Sequence, residues 1–261
     1  EDGIRDAIRH AITKLSHLHF TSTEEYRRRI IQMGENPSRV FAVGSLGIEN
    51  IKKVKLLSKQ ELEKEIGFDL GESYAVLTYH PVTLEDSSFE WQTKELLAAI
   101  DNDDEIRYIV TGANSDSGGE QINKILKEYC NQSNRAVFID SLGMLRYLSA
   151  LKYCDFVIGN SSSGLIEVPS FHIPTVNIGD RQKGRIKAES IIDCNADRES
   201  IKKAICKAKD KEFRRVCNNV INPNGDGNTS SKIIEEIKKY FYKNGHVMQK
   251  EFYDFPDDVW M

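Results

Sequence analysis

No long run of basic residues occurs in the 261-residue sequence, and its formal net charge is -4. Nucleic acid is therefore not expected as a main partner, although a basic pocket inside an acidic protein is compatible with this balance. No apolar stretch approaches the roughly 20 residues of a membrane-spanning helix. No signal-peptide pattern opens the chain, so no membrane association is expected. The five cysteines, 130, 154, 194, 206 and 217, form no CxxC pair. Scattered and odd in number, they fit a reduced, cytoplasmic protein better than a disulfide scaffold. No cluster of His, Cys and carboxylate has metal-ligand spacing, so no metal is expected, nor is any cofactor. Repeats and low-complexity segments are missing too.

What is present is the balance of a soluble globular protein, with 39% hydrophobic and 29% charged residues. The length suits one large domain or up to two ordinary ones. The chain opens with EDGIRDAIRHAITK, without a methionine and already inside a helical pattern: Ile4, Ala7, Ile8, Ala11, Ile12 and Leu15 share one face. This start reads as an entry into the middle of a domain, with a larger protein expected to precede it.

The pattern then alternates. HLHFTST reads as a short strand, TEEYRRRIIQMGE as a helix capped by Thr21–Thr23, and RVFAVGS as a strand. Residues 45–72 read as a connection carrying one charged helix, LSKQELEKEIG. From Ser73 strands and helices alternate regularly: SYAVLTYH, IRYIVTGAN, RAVFID, DFVIGN, PTVNIG and SIIDC are strands with helical segments between them. Their end-to-end apolar character suits strands covered on both faces. The predicted class is α/β with a doubly wound parallel sheet. The aromatic, acidic C-terminus, EFYDFPDDVWM, is read as a tail.

Gly159–Pro169, GNSSSGLIEVP, stands out. Small polar residues separate a buried-looking strand from a helix predicted to begin at Gly164 and end near Pro169. Ser161–Ser163 are good N-cap residues, and Gly164 would let the backbone approach a ligand closely. The first turn would offer N–H groups and the positive end of a dipole to an anion, most naturally phosphate. An ordinary capped helix is the bland alternative. The other strand ends argue against it. His80, Asn114, Asp140–Ser141, Asn160–Ser163 and Asp180–Arg181 each follow a predicted strand. In a parallel sheet those ends share one edge, where ligands collect.

Three blocks, GNSSSGLIEVPSFHIPTVNIGDRQKGR, IRHAITKLSHLHFTSTEEYRRR and YHPVT, resemble the hydrolysing UDP-N-acetylglucosamine 2-epimerases. The resemblance extends to about residue 240. It implies two Rossmann-like domains of GT-B type, the first only partly present: residues 1–44 as its tail, 45–240 as the nucleotide-binding domain and 241–261 as a C-terminal tail. It implies nucleotide binding by His80, Asn114, Leu142, Ser161, Ser162, Glu167 and Arg181. Ser161 and Ser162 would hold diphosphate oxygens and Glu167 the ribose hydroxyls. Arg181 would reach the nucleotide, and the Leu142 backbone would meet the uracil edge. His80 and Asp6 are the implied catalytic residues. Relatives commonly carry two adjacent acids before the IRHAITK helix, where this chain has Arg5–Asp6. His17 and His19 are taken as structural, and Arg9 and His10 receive no role.

The implied reaction expels UDP from C1 as a proton leaves C2. Water then adds to the resulting 2-acetamidoglucal, giving N-acetylmannosamine as in sialic-acid biosynthesis. Most proton chemistry is expected from a preceding segment, so this chain alone is expected to be a poor catalyst. The alternatives are a GT-B glycosyltransferase, a non-catalytic UDP-binding module, or a GDP-linked substrate. A nucleotide sugar is the expected partner in each case, and a homodimer is compatible with the resemblance.

Overall fold

The structure is a computed structural model that describes residues 3–81, 89–101, 103–114, 118–244 and 249–254. In chain order the elements are α1 (Gly3–Leu15), β1 (His19–Thr21), α2 (Glu24–Gln32), β2 (Val40–Ala42), α3 (Leu46–Lys53), α4 (Lys59–Ile66), β3 (Tyr74–Thr78) and α5 (Phe89–Ile100). They continue with β4 (Arg107–Thr111), α6 (Gly119–Gln132), β5 (Ala136–Ile139), α7 (Gly143–Tyr153), β6 (Phe156–Gly159), α8 (Ser163–Ile166), β7 (Thr175–Ile178), β8 (Ile191–Cys194), α9 (Arg198–Lys209), α10 (Lys211–Asn218) and α11 (Thr229–Asn244). The α/β class with parallel sheets predicted from the sequence is the class observed.

Two compact units form, Val54–Asn222 and Asp2–Lys53 with Pro223–Met261. These bounds differ from 1–44, 45–240 and 241–261, and the side chains give the reason. Helix α3 lies in the 45–72 segment, which was expected to hold one helix. Its Glu49 accepts from both the backbone N–H (2.7 Å) and the hydroxyl (2.6 Å) of Ser230, in the first turn of α11. Lys53 and Ser230 hold the Glu49 carboxyl down to about 2. An anion at a helix N-terminus satisfies backbone donors that have no intrahelical acceptor. Helix α11 therefore joins the N-terminal unit.

Residues 249–254 dock on the same unit. The Lys250 ammonium donates to the carbonyls of Thr13, Lys14 and Ser16, at the C-terminal end of α1. It also reaches Glu35, at 2.7 Å. The Tyr253 N–H donates to the Gly34 carbonyl. Residues 255–261 of the expected tail lie outside the described residues.

In the Val54–Asn222 unit, six parallel strands run in the order β5-β4-β3-β6-β7-β8. This is the Rossmann order, in which the chain works outward from β3 to one edge, then returns to β6 and works to the other. Strands β3, β6 and β7 are buried along their whole length, whereas edge strand β5 buries only Ala136. The core gathers Leu77, Tyr108 and Phe156 from the sheet with Leu96, Ile122, Leu126 and Ile205 from the helices.

In the N-terminal unit β1 and β2 pair in parallel. Beside them Glu35, 1% exposed, accepts from Lys14 (2.6 Å) and meets His19 Nε2 at 2.9 Å. Burial holds the His19 imidazole below its ordinary value, against the pull of Glu35. Burial raises the Glu35 carboxyl, but hydrogen bonds from Lys14, Lys250 and His19 outweigh it and bring it below the ordinary value. Both shifts are downward, so the unfolded chain binds more protons as the pH falls past 6.5 and then past 4.5. Their stabilising contribution is present above pH 6.5 and declines in two stages below it. Urea midpoints between pH 8 and 4 should show this. The drop below pH 6.5 should shrink in His19→Gln, which keeps an N–H donor for Glu35. Equal drops in the two proteins would overturn the assignment.

Candidate functional site

The Rossmann order opens a crevice where the winding reverses, between the carboxyl ends of β3 and β6. Gly159 closes β6 there in a conformation with φ +135°. A Cβ on it would stand 1.9 Å from the Thr78 carbonyl oxygen. Only glycine allows β6 to approach β3 this closely, and Asn160 N–H then donates to that same carbonyl at 3.1 Å.

Asn160 is fully buried. Its Oδ1 accepts from His80 N–H at 2.8 Å, and its Nδ2 donates to the His80 carbonyl, also at 2.8 Å. Its own carbonyl accepts from Arg181 Nη1 (3.0 Å) and Gln182 Nε2 (2.7 Å). The His80 ring is oriented from β4, because Asn114 N–H donates to Nδ1 at 3.1 Å. An N–H donor opposite Nδ1 requires a lone pair there, so the neutral ring carries its proton on Nε2. Asn123 on α6 fixes this stretch of backbone by accepting from Ala113 N–H at 2.6 Å.

The serine turn follows Asn160 directly. Helix α8 begins at Ser163, one residue earlier than predicted, and gives way to a 3₁₀ turn over Val168–Phe171. Ser162 flanks the helix without a side-chain cap bond, whereas Ser161 Oγ accepts weakly from Ser163 N–H at 3.4 Å. Gly164 has a packing reason in the fold. A Cβ there would lie 2.8 Å from Thr175 Cγ2, and Thr175 Oγ1 donates to the Gly164 carbonyl. The glycine lets the turn pack onto β7 beneath it.

Glu167 ends α8. The Tyr147 hydroxyl on α7 donates to Ser163 Oγ at 2.7 Å, and Ser163 hydrogen-bonds the Glu167 carboxyl. Burial raises the Glu167 carboxyl, with the Ser163 bond opposing it. Its Oε2 is buried and has no hydrogen-bond partner among the described residues. A buried carboxylate oxygen without a donor is costly, and the cost is recovered when one arrives.

At the end of β5, Leu142 is buried at the start of α7. Arg146 donates to the carbonyls of Leu142 (2.9 Å) and Ser141 (3.2 Å), holding the backbone of this turn in place.

His80, Asn114, Asn160 and Arg181 thus share one hydrogen-bonded group. Ser161 and Ser162 continue from it, and Glu167 forms a second group with Ser163 and Tyr147. Asp140 joins neither; it is exposed and pairs with Lys127 at 3.0 Å. Asp6 belongs to α1, and its side chain lies outside the described residues. Gln182 and Tyr147 carried no role in the sequence reading. Gln182 follows Arg181 directly, so its neighbour was a usable signal, whereas Tyr147 could not be linked to Glu167 before the fold was known.

Beside this crevice, at the ends of β7 and β8, lies a cavity of about 400 Å³ lined by Tyr79, Asp180, Lys183, Lys187, Asp193 and Cys194, among others. Lys187 pairs with Asp193 and Lys183 with Asp180, so its charges are largely matched. Burial pushes the Cys194 thiol up to about 12, which keeps it protonated near neutral pH. Among the described residues no group of His, Cys, Asp and Glu is arranged to hold a metal, and no helix is long and apolar enough to cross a membrane.

Strand order, switch-point crevice and serine turn define a Rossmann-type α/β protein with its polar site at the sheet edge. Residues 1–238 match the UDP-N-acetylglucosamine 2-epimerase family, and the chain belongs to it. Polysialic acid biosynthesis protein P7 of Escherichia coli is 43% identical over 251 residues, 96% of this chain and 63% of that protein. The GDP/UDP-N,N'-diacetylbacillosamine 2-epimerase (hydrolyzing) of Campylobacter jejuni is 43% identical over 214 residues, 82% of this chain and 55% of that protein. The chain therefore spans less than two thirds of the length of these relatives. Among solved structures, the S. aureus MnaA–UDP co-structure aligns with a TM-score of 0.71 at 18% identity, covering 94% of this chain and 65% of that one. The Methanocaldococcus jannaschii UDP-GlcNAc 2-epimerase in complex with UDP-GlcNAc and UDP aligns at 0.67 and 17%, covering 86% and 61%. At these identities the structural likeness establishes the fold.

Proposed function

We propose that the protein takes part in hydrolysing 2-epimerisation of a nucleoside-diphosphate-linked N-acetylated sugar, with UDP-N-acetylglucosamine as the reference substrate. The observation that carries this is His80, held at the switch point with Nδ1 accepting from Asn114 N–H, beside the Ser161–Ser162 turn. An imidazole with its proton on Nε2 can donate a hydrogen bond to a diphosphate oxygen and stabilise the negative charge that develops as the nucleotide departs. Ser161, Ser162 and the turn's backbone hold the diphosphate, and the Arg181 guanidinium adds positive charge where negative charge develops. Glu167 accepts the ribose hydroxyls through the oxygen that lacks a donor. The Leu142 backbone and the Asn114 turn flank the nucleotide. Asp6 contributes to proton transfer at the sugar, a role resting on its position before the IRHAITK segment alone.

The chemistry is elimination followed by hydration. The C1–O bond breaks with its electron pair leaving on UDP while a proton leaves C2, giving a 2-acetamidoglucal. Water then adds to C1 and a proton returns to the opposite face of C2, releasing N-acetylmannosamine.

Product analysis of the native gene product tests this reading. Free 2-epimeric sugar and UDP are expected, with deuterium from heavy water incorporated at C2. Transfer of the sugar to an acceptor, or binding without turnover, would overturn it. The C. jejuni relative is named for both GDP- and UDP-linked forms of a di-N-acetylated sugar. Parallel assays with those donors establish which base and sugar are preferred.

Glu167 yields a separate prediction. UDP should bind more tightly than 2'-deoxy-UDP by about 2 kcal/mol, the worth of a hydrogen bond to a charged group. In Glu167→Gln the preference should fall to a few-fold. Equal binding of the two ligands by the wild type, measured by calorimetry, would remove the ribose assignment.

A further inference from the structure

Asn160 joins several parts of this site from a fully buried position. Its side-chain amide spans β3 and β6 by making two bonds to the backbone of one residue, His80: it accepts from the N–H and donates to the carbonyl, each at 2.8 Å. Two antiparallel bonds to one residue fix both the position and the tilt of that residue's backbone. No other natural side chain of this size offers both an acceptor and a donor in that arrangement. Its carbonyl, independently, accepts from Arg181 and Gln182. Gly159 brings it there, by allowing β6 to close against the Thr78 carbonyl.

We infer that Asn160 is a positioning residue for His80: its amide sets the His80 backbone so that the ring meets Asn114 N–H through Nδ1 and keeps its proton on Nε2. The inference rests on the catalytic reading of His80 given above, but it concerns a residue to which that reading assigns no role. It also separates the two arms of Asn160. Substituting the side chain removes the His80 arm and leaves the backbone carbonyl to Arg181 and Gln182.

The first measurement needs neither substrate nor mutation. Imidazole ¹⁵N spectra of the wild type above the titration range should show His80 as the Nε2–H tautomer, with Nδ1 shifted as a hydrogen-bond acceptor. A predominant Nδ1–H tautomer would overturn the inference. In Asn160→Ala the His80 signals should move to a mixture of tautomers. Turnover of UDP-N-acetylglucosamine by the native gene product should fall about 100-fold in kcat, the scale on which a misplacement of about 1 Å acts. KM should stay within a few-fold. Asn160→Asp keeps the acceptor for His80 N–H but loses the donor, and should fall between Asn160→Ala and the wild type. An Asn160→Ala protein with the wild-type tautomer and kcat would sink the proposal. His80→Ala with undiminished turnover would instead sink the catalytic reading, leaving the tautomer result to stand by itself.

Discussion

Gly159→Ala should destabilise the Val54–Asn222 unit by about 3–5 kcal/mol, adding the cost of overpacking to that of backbone strain. The added methyl group would stand 1.9 Å from the Thr78 carbonyl oxygen. Neither atom can move cheaply. Thr78 is paired with Thr111 on its other side, at 2.6 Å between hydroxyls, and Gly159 is hydrogen-bonded into the β3–β6–β7 ladder. The positive φ would also have to be borne by a residue with a Cβ. Relief requires β6 to separate from β3, which carries Asn160 away from His80. Where the variant remains folded, it should also lose nucleotide affinity. Equilibrium urea unfolding followed by UDP titration provides the check. A loss of stability under about 1 kcal/mol, the scale of an ordinary surface change, would show that the switch point yields more easily than its packing indicates.

The second large effect is on turnover. His80→Ala should lower kcat by roughly 100- to 1,000-fold, the range for losing one positioned donor to developing charge. Stability should change little, because His80 is only partly buried and the Asn160 amide holds its backbone in either variant. His80→Asn is a useful companion, since it retains a polar side chain but places its N–H donor differently from Nε2. If both variants turn over UDP-N-acetylglucosamine at the wild-type rate, the charge on the departing nucleotide must be stabilised by other groups. Near-normal kcat with a raised KM would reduce His80 to a diphosphate ligand.

Much of the local structure could be read from residue order. Thr23 accepts from Tyr26 N–H and starts α2 where a capping threonine was expected. Ser58 and Glu61 form a reciprocal capping box at α4. The six apolar runs are the six strands of the large sheet. Helix α3, no shorter than α4, lacks the capping box that marks α4 and so left no comparable signal in residue order. Only Ile48 and Glu49 are buried in it, and Glu49 is there to cap α11.

The candidate site was legible as a set of positions but not as an arrangement. His80, Asn114, the serine turn and Arg181 were visible because each directly follows an apolar run, and runs of one direction end at one edge. Asn160 stood among them without a role, Gln182 and Tyr147 were silent, and the packing of Gly164 on Thr175 had no signal in residue order.

The sequence by itself determined the α/β class, the alternation of strands and helices, the polar residues at the strand ends and the family. Those features follow from local periodicity and short motifs, which neighbouring residues impose on one another. The tertiary structure alone decided that β3 lies beside β6, so that Thr78 pairs with Gly159 and Asn160 grips a residue 80 positions away. It also decided that α11 joins the N-terminal unit. The physical reason is common to both. Any parallel strand offers much the same backbone groups to any other, and an apolar helix face fits many partners. Which ones meet is settled by close packing over the whole core, down to the single absent methyl group at Gly159 that lets two strand ends touch.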